Sequence, residues 1–193
     1  MNRRKRIFYS LVLSLLPGGG TKVAYYIKKH GLFGSIGDGC LIQRRILPLY
    51  SNLVHLGNNV IIASKVIFVT HDAIHLMLNK IYGENAFLER IGCICVKDNV
   101  FIGSGTRILY GTVIGKNVII GSDSLVNKDI PDNSVYAGVP ARFICTFDEY
   151  VQKAKQYSER TRNSLGIDKI TQVDDALADK AFREFVKEKG IQL

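Results

Sequence analysis

IGSGTRILYGTVIGKNVIIGSD, residues 102–123, places an isoleucine at every sixth position: Ile102, Ile108, Ile114 and Ile120. A helix repeats every 3.6 residues and a strand every 2, so neither alone gives this period. The count extends in both directions, to Val96 before the stretch and Val126 after it. Glycine follows the aliphatic at Gly103, Gly115 and Gly121, and two places before it stands Val100, Thr106, Thr112, Val118 or Ser124. An earlier run, Leu56-Gly57, Ile62 and Phe68 with Val60 and Val66, obeys the same grammar, and Ile36-Gly37, Cys40 and Ile42 open it.

Six is even, so a strand repeating every six residues keeps its aliphatic on one side. A six-residue unit is then a short strand plus a turn, and three units close one coil whose inward aliphatics stack on the next. One coil cannot bury its own inner face, so several must stack. The glycines are expected at corners where the backbone turns sharply and a Cβ is costly.

The phase breaks after Phe68. Between FVTHD and VKDNVFIG, the segment AIHLMLNKIYGENAFLERIGCIC lacks the hexad grammar. A loop over about 72–90 is expected to leave the coils there, and long loops on rigid scaffolds commonly bind or cover something. Residues 1–35 read as helical, with a break at Pro17–Gly20 and a second helix, KVAYYIKKH, ended by Gly31. Residues 36–146 form the hexad domain. Residues 147–193 turn to charged helix formers, and Ala181, Phe182, Phe185 and Val186 fall on one face of a helical tail.

A chain of 193 residues with 47% apolar content can bury a substantial core. Its net charge of +9 lies entirely before Phe147, because nine acids balance nine bases from there on. Such an excess suits polyanions: a phosphorylated cofactor, an anionic membrane or nucleic acid. No nucleic-acid motif accompanies it. Arg3, Arg4, Lys5 and Arg6 precede IFYSLVLSLLP. That run is too short to span a bilayer and lacks a small-residue cleavage site, so a basic helix on the domain or on a membrane surface is expected. Cys40, Cys93, Cys95 and Cys145 make no disulfide framework, and the C-x-C pair has no second pair to complete a zinc site.

The hexads, together with NKDIPDNSVYAGVPARFI at residues 127–144, resemble the hexapeptide-repeat acyltransferases, in particular the sugar O-acetyltransferases. The resemblance implies a mainly β fold, a left-handed parallel β-helix, and a homotrimer with sites between subunits. It implies acetyl-CoA as co-substrate, no metal, and a carbohydrate acceptor in surface polysaccharide or glycan biosynthesis. The expected location is the cytoplasm, at the inner face of the membrane if the basic N-terminus docks there. Acetyl transfer to a hydroxyl needs a base that works near neutrality, and imidazole, with an ordinary pKa of about 6.5, suits this. The resemblance gives that role to His71, at the break in the hexads. It gives coenzyme contacts to Ser104, Ser122 and Asn127, beside the backbone groups around Gly103 and Gly121 that a coil edge offers to the coenzyme arm, and phosphate contacts to Lys128 and Arg142. Asp72 receives no role.

Where sugar-specific relatives hold an acceptor with asparagine, this chain has Ala63, Ser64 and Lys65, so the acceptor stays open. Three other readings stand beside this one: N-acetylation of an amino sugar or antibiotic, a metal-dependent hydratase using His71, His75 and either His55 or Asp72 as third ligand, and a non-catalytic scaffold.

Overall fold

The computed structural model describes residues 3–43, 46–169 and 172–191. Two helices come first, α1 (Arg3–Leu15) and α2 (Gly20–Lys29). Short strands follow: β1 (Ser35–Ile36), β2 (Leu41–Ile42), β3 (Val54–Leu56), β4 (Val60–Ile62) and β5 (Ile67–Val69). After helix α3 (Ile74–Tyr82) come β6 (Ile94–Val96), β7 (Val100–Ile102), β8 (Arg107–Leu109), β9 (Thr112–Ile114), β10 (Val118–Ile120), β11 (Leu125–Val126), β12 (Ser134–Ala137) and β13 (Arg142–Thr146). Helices α4 (Phe147–Leu165) and α5 (Asp175–Lys189) complete the order.

The strands form three ladders, visited in turn by the chain. Face A runs β1-β3-β6-β9, face B β2-β4-β7-β10-β12-β13, and face C β5-β8-β11. All pairings between these strands are parallel except β12 with β13. Register shows what the sixes count. Val96 lies opposite Ile114, Ile102 opposite Ile120 and Ile108 opposite Val126, each pair three sixes apart.

Both inward positions of each unit are sealed. Ile102, Ile108, Ile114, Ile120 and Val126 have no exposed surface, and Val100, Thr106, Thr112, Val118 and Ser124 are buried two places earlier. The buried hydroxyls find partners within the stack: Thr106 Oγ1 donates to Gly121 O (3.0 Å) and Ser124 Oγ to the same carbonyl (2.7 Å). One end of the stack is covered by α2, whose Val23, Ala24 and Ile27 join the core. At the last coil, β13 folds back on β12.

The glycines sit at corners where a Cβ would be costly, as expected, but not because of their backbone angles. Gly103 and Gly121 do not take left-handed backbone angles; positive φ falls instead on Asn59, Asn99, Asn117 and Asn133 at the A-to-B corners and on Lys65, Gly105 and Asp123 at the B-to-C corners. Glycine is needed at 103 because the next coil lies against it. An added Cβ would stand 2.5 Å from Ser122 N and 2.7 Å from the Gly121 carbonyl carbon. The asparagines tolerate the left-handed region, and their amides form a chain, with Asn59 Nδ2 donating to Asn99 Oδ1 (3.0 Å), Asn99 to Asn117 (2.9 Å) and Asn117 to Asn133 (2.8 Å).

The chain divides into two compact units after Phe147. The second contains α4 and α5 rather than a single tail helix. Asp174 caps α5 by accepting from Leu177 N (2.8 Å), and Gly190 ends it at φ 63°. Neither helix buries a residue, and Phe182 and Phe185 on the apolar face of α5 stay exposed, as a solvated helical tail requires.

Candidate active site

The chain leaves face C at Thr70, and the loop that follows is closed at its neck by backbone pairing. His71 bridges Ile91, Asp72 N donates to Arg90 O (3.0 Å), and Gly92 N donates to Thr70 O (3.1 Å). The loop carries α3, and Asn79 staples its return by exchanging bonds with Phe87 N (2.8 Å) and Phe87 O (2.9 Å).

His71 is thus held on extended backbone at a rigid junction. Its half-buried ring meets Tyr50 edge to face, with centroids 5.2 Å apart. Tyr50 in turn donates its hydroxyl to Glu89 Oε2 (2.8 Å), which ties the coil below to the loop neck and pushes the phenol upward from its ordinary pKa. Nδ1 of His71 is enclosed and has no partner among the described residues.

Asp72 organises the other side of the junction. Its Oδ2 accepts from Tyr110 Oη (2.6 Å), and its Oδ1 accepts from Ile74 N (3.1 Å) at the start of α3. The Tyr110 hydrogen bond, then the Ile74 N–H, hold this carboxylate below its usual range. The Arg90 guanidinium lies 5.5 Å from the centre of the Tyr110 ring. A cleft of about 220 Å³ opens between Asp72, His75, Leu78, Phe87, Leu88 and Arg90.

His75 lies four residues after His71, but α3 begins only at Ile74, so the spacing is not helical. Among the described residues no group of three His, Cys, Asp or Glu side chains could hold a metal ion.

The expected coenzyme residues occupy two corners and one strand. Gly103 and Gly121 stack directly, with Gly103 N donating to Ile120 O (2.8 Å). Beside them Ser64, Ser104 and Ser122 form an exposed column at the B-to-C corner, coupled through Gly105 N to Ser64 O (3.0 Å) and Asp123 N to Ser104 O (2.7 Å). Ala63 and Lys65 belong to the same corner, one coil earlier. Asn127 and Lys128 follow β11 and are exposed. Arg142 begins β13, opposite Ala137, and is exposed.

These positions do not all meet within one chain. Ser104 precedes β8 whereas His71 follows β5, and Ile67 pairs Arg107 while Val69 pairs Leu109. His71 and the serine column therefore stand at opposite ends of face C. Asn127 and Lys128 share the His71 end, because Val126 lies opposite Ile108. The spacing of sixes does not single out Tyr50, Glu89 or Tyr110 as neighbours of the junction. Tyr50 and Glu89 lie outside the hexads, and their meeting depends on coil stacking.

The family profile described as bacterial transferase hexapeptide (six repeats) matches residues 96–128. A galactoside O-acetyltransferase of Escherichia coli (strain K12) is 45% identical over 134 residues, covering 58% of this chain and 64% of that protein. Protein CapG of Staphylococcus aureus is 34% identical over 139 residues, covering 70% of this chain and 78% of CapG. A solved galactoside acetyltransferase in complex with coenzyme A superposes with a TM-score of 0.59 at 26% identity, covering 78% of this chain and 82% of that one. The chain spans about three fifths of the galactoside O-acetyltransferases it matches.

Proposed function

Because the chain belongs to the hexapeptide-repeat transferase family, we propose that it is a coenzyme A-dependent O-acetyltransferase acting on a sugar hydroxyl in surface polysaccharide or glycan biosynthesis. The observation that carries this reading is the placement of His71: a half-buried imidazole at a closed loop neck, on the edge of face C opposite the exposed serine column. The galactoside O-acetyltransferase relatives and the coenzyme A complex of a structural neighbour support the sugar and the coenzyme.

With Nδ1 enclosed, Nε2 is the nitrogen that meets the substrate. It takes the proton of the acceptor hydroxyl as the oxygen attacks the thioester carbonyl, so no free alkoxide forms. Collapse of the tetrahedral intermediate breaks the carbon–sulfur bond, and the imidazolium returns its proton to the departing coenzyme A thiolate. Sugar ester and free thiol leave. Asp72 fixes the loop through Tyr110 and Ile74, and the adjoining cleft with Arg90 and His75 receives the acceptor.

Coenzyme A contacts Gly103, Ser104, Gly121, Ser122 and Asn127, with Lys128 and Arg142 on its phosphates, where charge-assisted bonds contribute about 1.5–3 kcal/mol each. The coils wind left-handed. Face C turns toward a three-fold axis, its outward Ile67, Val69, Leu109 and Leu125 packing against the other copies. That symmetry carries the His71 edge of one subunit to the serine edge of the next.

Purified protein given acetyl-CoA and matched panels of hydroxyl and amino sugars tests the reading by thiol release and product mass. Ester formation on the hydroxyl sugars is expected. Acetylation confined to the amines, or no turnover on either panel, would overturn it.

A further inference from the structure

We propose that α1 is a docking surface for an anionic phospholipid bilayer, a role independent of the acetyl-transfer reading. One side of this helix is fixed to the domain. Leu13 is fully buried, Arg6 Nη1 donates to Leu47 O (3.4 Å), and Ser10 Oγ accepts from Leu47 N (3.3 Å). The side facing away should be polar in an ordinary surface helix. Here it is apolar.

Ile7, Leu11 and Leu15 recur at every fourth residue with Phe8 beside them, exposed by 54%, 58%, 73% and 59%. At 100° per residue these four span roughly a third of the helix circumference. Contiguous exposed apolar surface of this kind marks an interaction site.

Charge identifies the occupant. Before the first acid, Asp38, the sequence carries Arg3, Arg4, Lys5, Arg6, Lys22, Lys28 and Lys29. Arg4 and Lys5 are exposed at the start of α1, and Lys22, Tyr25 and Lys29 are exposed on α2. A second copy would bring the same positive cluster against this one. Nucleic acid would match the charge but not four open apolar side chains. The interface of an anionic bilayer supplies negative headgroups and apolar depth together.

No helix among the described residues is long and apolar enough to cross a membrane. At 13 residues, about 20 Å long, α1 lies in the plane of the interface instead.

The test uses the full-length chain and vesicles of phosphatidylcholine with or without about one third phosphatidylglycerol. Sedimentation is expected with the anionic vesicles only, weakening as salt rises. The triple variant Ile7→Ser/Leu11→Ser/Leu15→Ser should lower the partition coefficient at least about ten-fold, and Arg4→Gln and Lys5→Gln about five-fold each, with melting curves unchanged because these side chains point outward. Wild-type protein remaining in the supernatant with anionic vesicles would overturn the proposal. So would variants that bind like wild type, or a triple variant whose oligomer mass falls in light scattering, which would make the face a contact between copies.

Discussion

Gly103 has no room for a side chain, since the next coil passes at backbone contact distance. Gly103→Ala therefore has to push neighbouring coils apart, and a loss of about 1–3 kcal/mol is expected from a shifted urea midpoint. Its neighbour Ile102 fills the interior with no exposed surface. Ile102→Ala should cost about 2–5 kcal/mol in the same measurement. At His71 the expectation is different in kind. His71→Ala should lower kcat by roughly 10²–10⁴-fold while lowering the melting temperature only slightly, because the half-buried ring belongs to no coil interior and gives up one edge-to-face contact with Tyr50. Residues whose role is to point inward were legible from spacing, because an even period ties side to position. Tyr50 and Glu89 were not: their hydrogen bond joins segments 39 residues apart, and only coil stacking brings them together.

The elements that position the site rely on polar seams. Along one corner the asparagine chain satisfies side-chain amides while each residue holds a φ between 53° and 59°. Asn117→Ala loses two of these hydrogen bonds and keeps the strained backbone, for an expected loss of about 1–3 kcal/mol. Asn117→Gly should lose less, since glycine removes the backbone strain; equal losses would assign the effect to the amide bonds alone. The period of six pointed to corners, and glycine was the residue expected there. The amide ladder went unread because it rests on contacts between coils, which a single hexad does not display.

Carboxylates secure other seams. Asp72 accepts from Tyr110 and Ile74 N, Asp98 from Asn58 N, and Asp132 from Lys116 N, and these bonds hold all three below the ordinary carboxylate pKa. Each depressed value contributes stability above the unfolded pKa, about 3.9, and loses it as pH falls through the folded value. Stability should be flat near neutrality and decline below about pH 4. Tyr110→Phe removes the largest cause at Asp72, so amide exchange in α3 should rise at a higher pH than in wild type. An unchanged exchange profile would place the loop's stability elsewhere.

The first unit is a stack of three-sided coils in which His71 and Ser104 lie at opposite ends of one face. The period of the coils and the place where the hexads break after Phe68 were legible, because an aliphatic returns every six residues on either side of that break. The separation of His71 from Ser104 on face C follows from no period, since it depends on which corner each hexad occupies; only the family resemblance implied that the two come from neighbouring subunits. An assembly of about three chains of 21.5 kDa is expected by light scattering. The most direct test mixes two inactive variants, His71→Ala and Ser104→Tyr, under conditions that exchange subunits. If one copy's imidazole works on the coenzyme held by its neighbour, random mixing restores about a quarter of the sites and a matching share of turnover. Mixed assemblies as inactive as either parent would contradict the shared site.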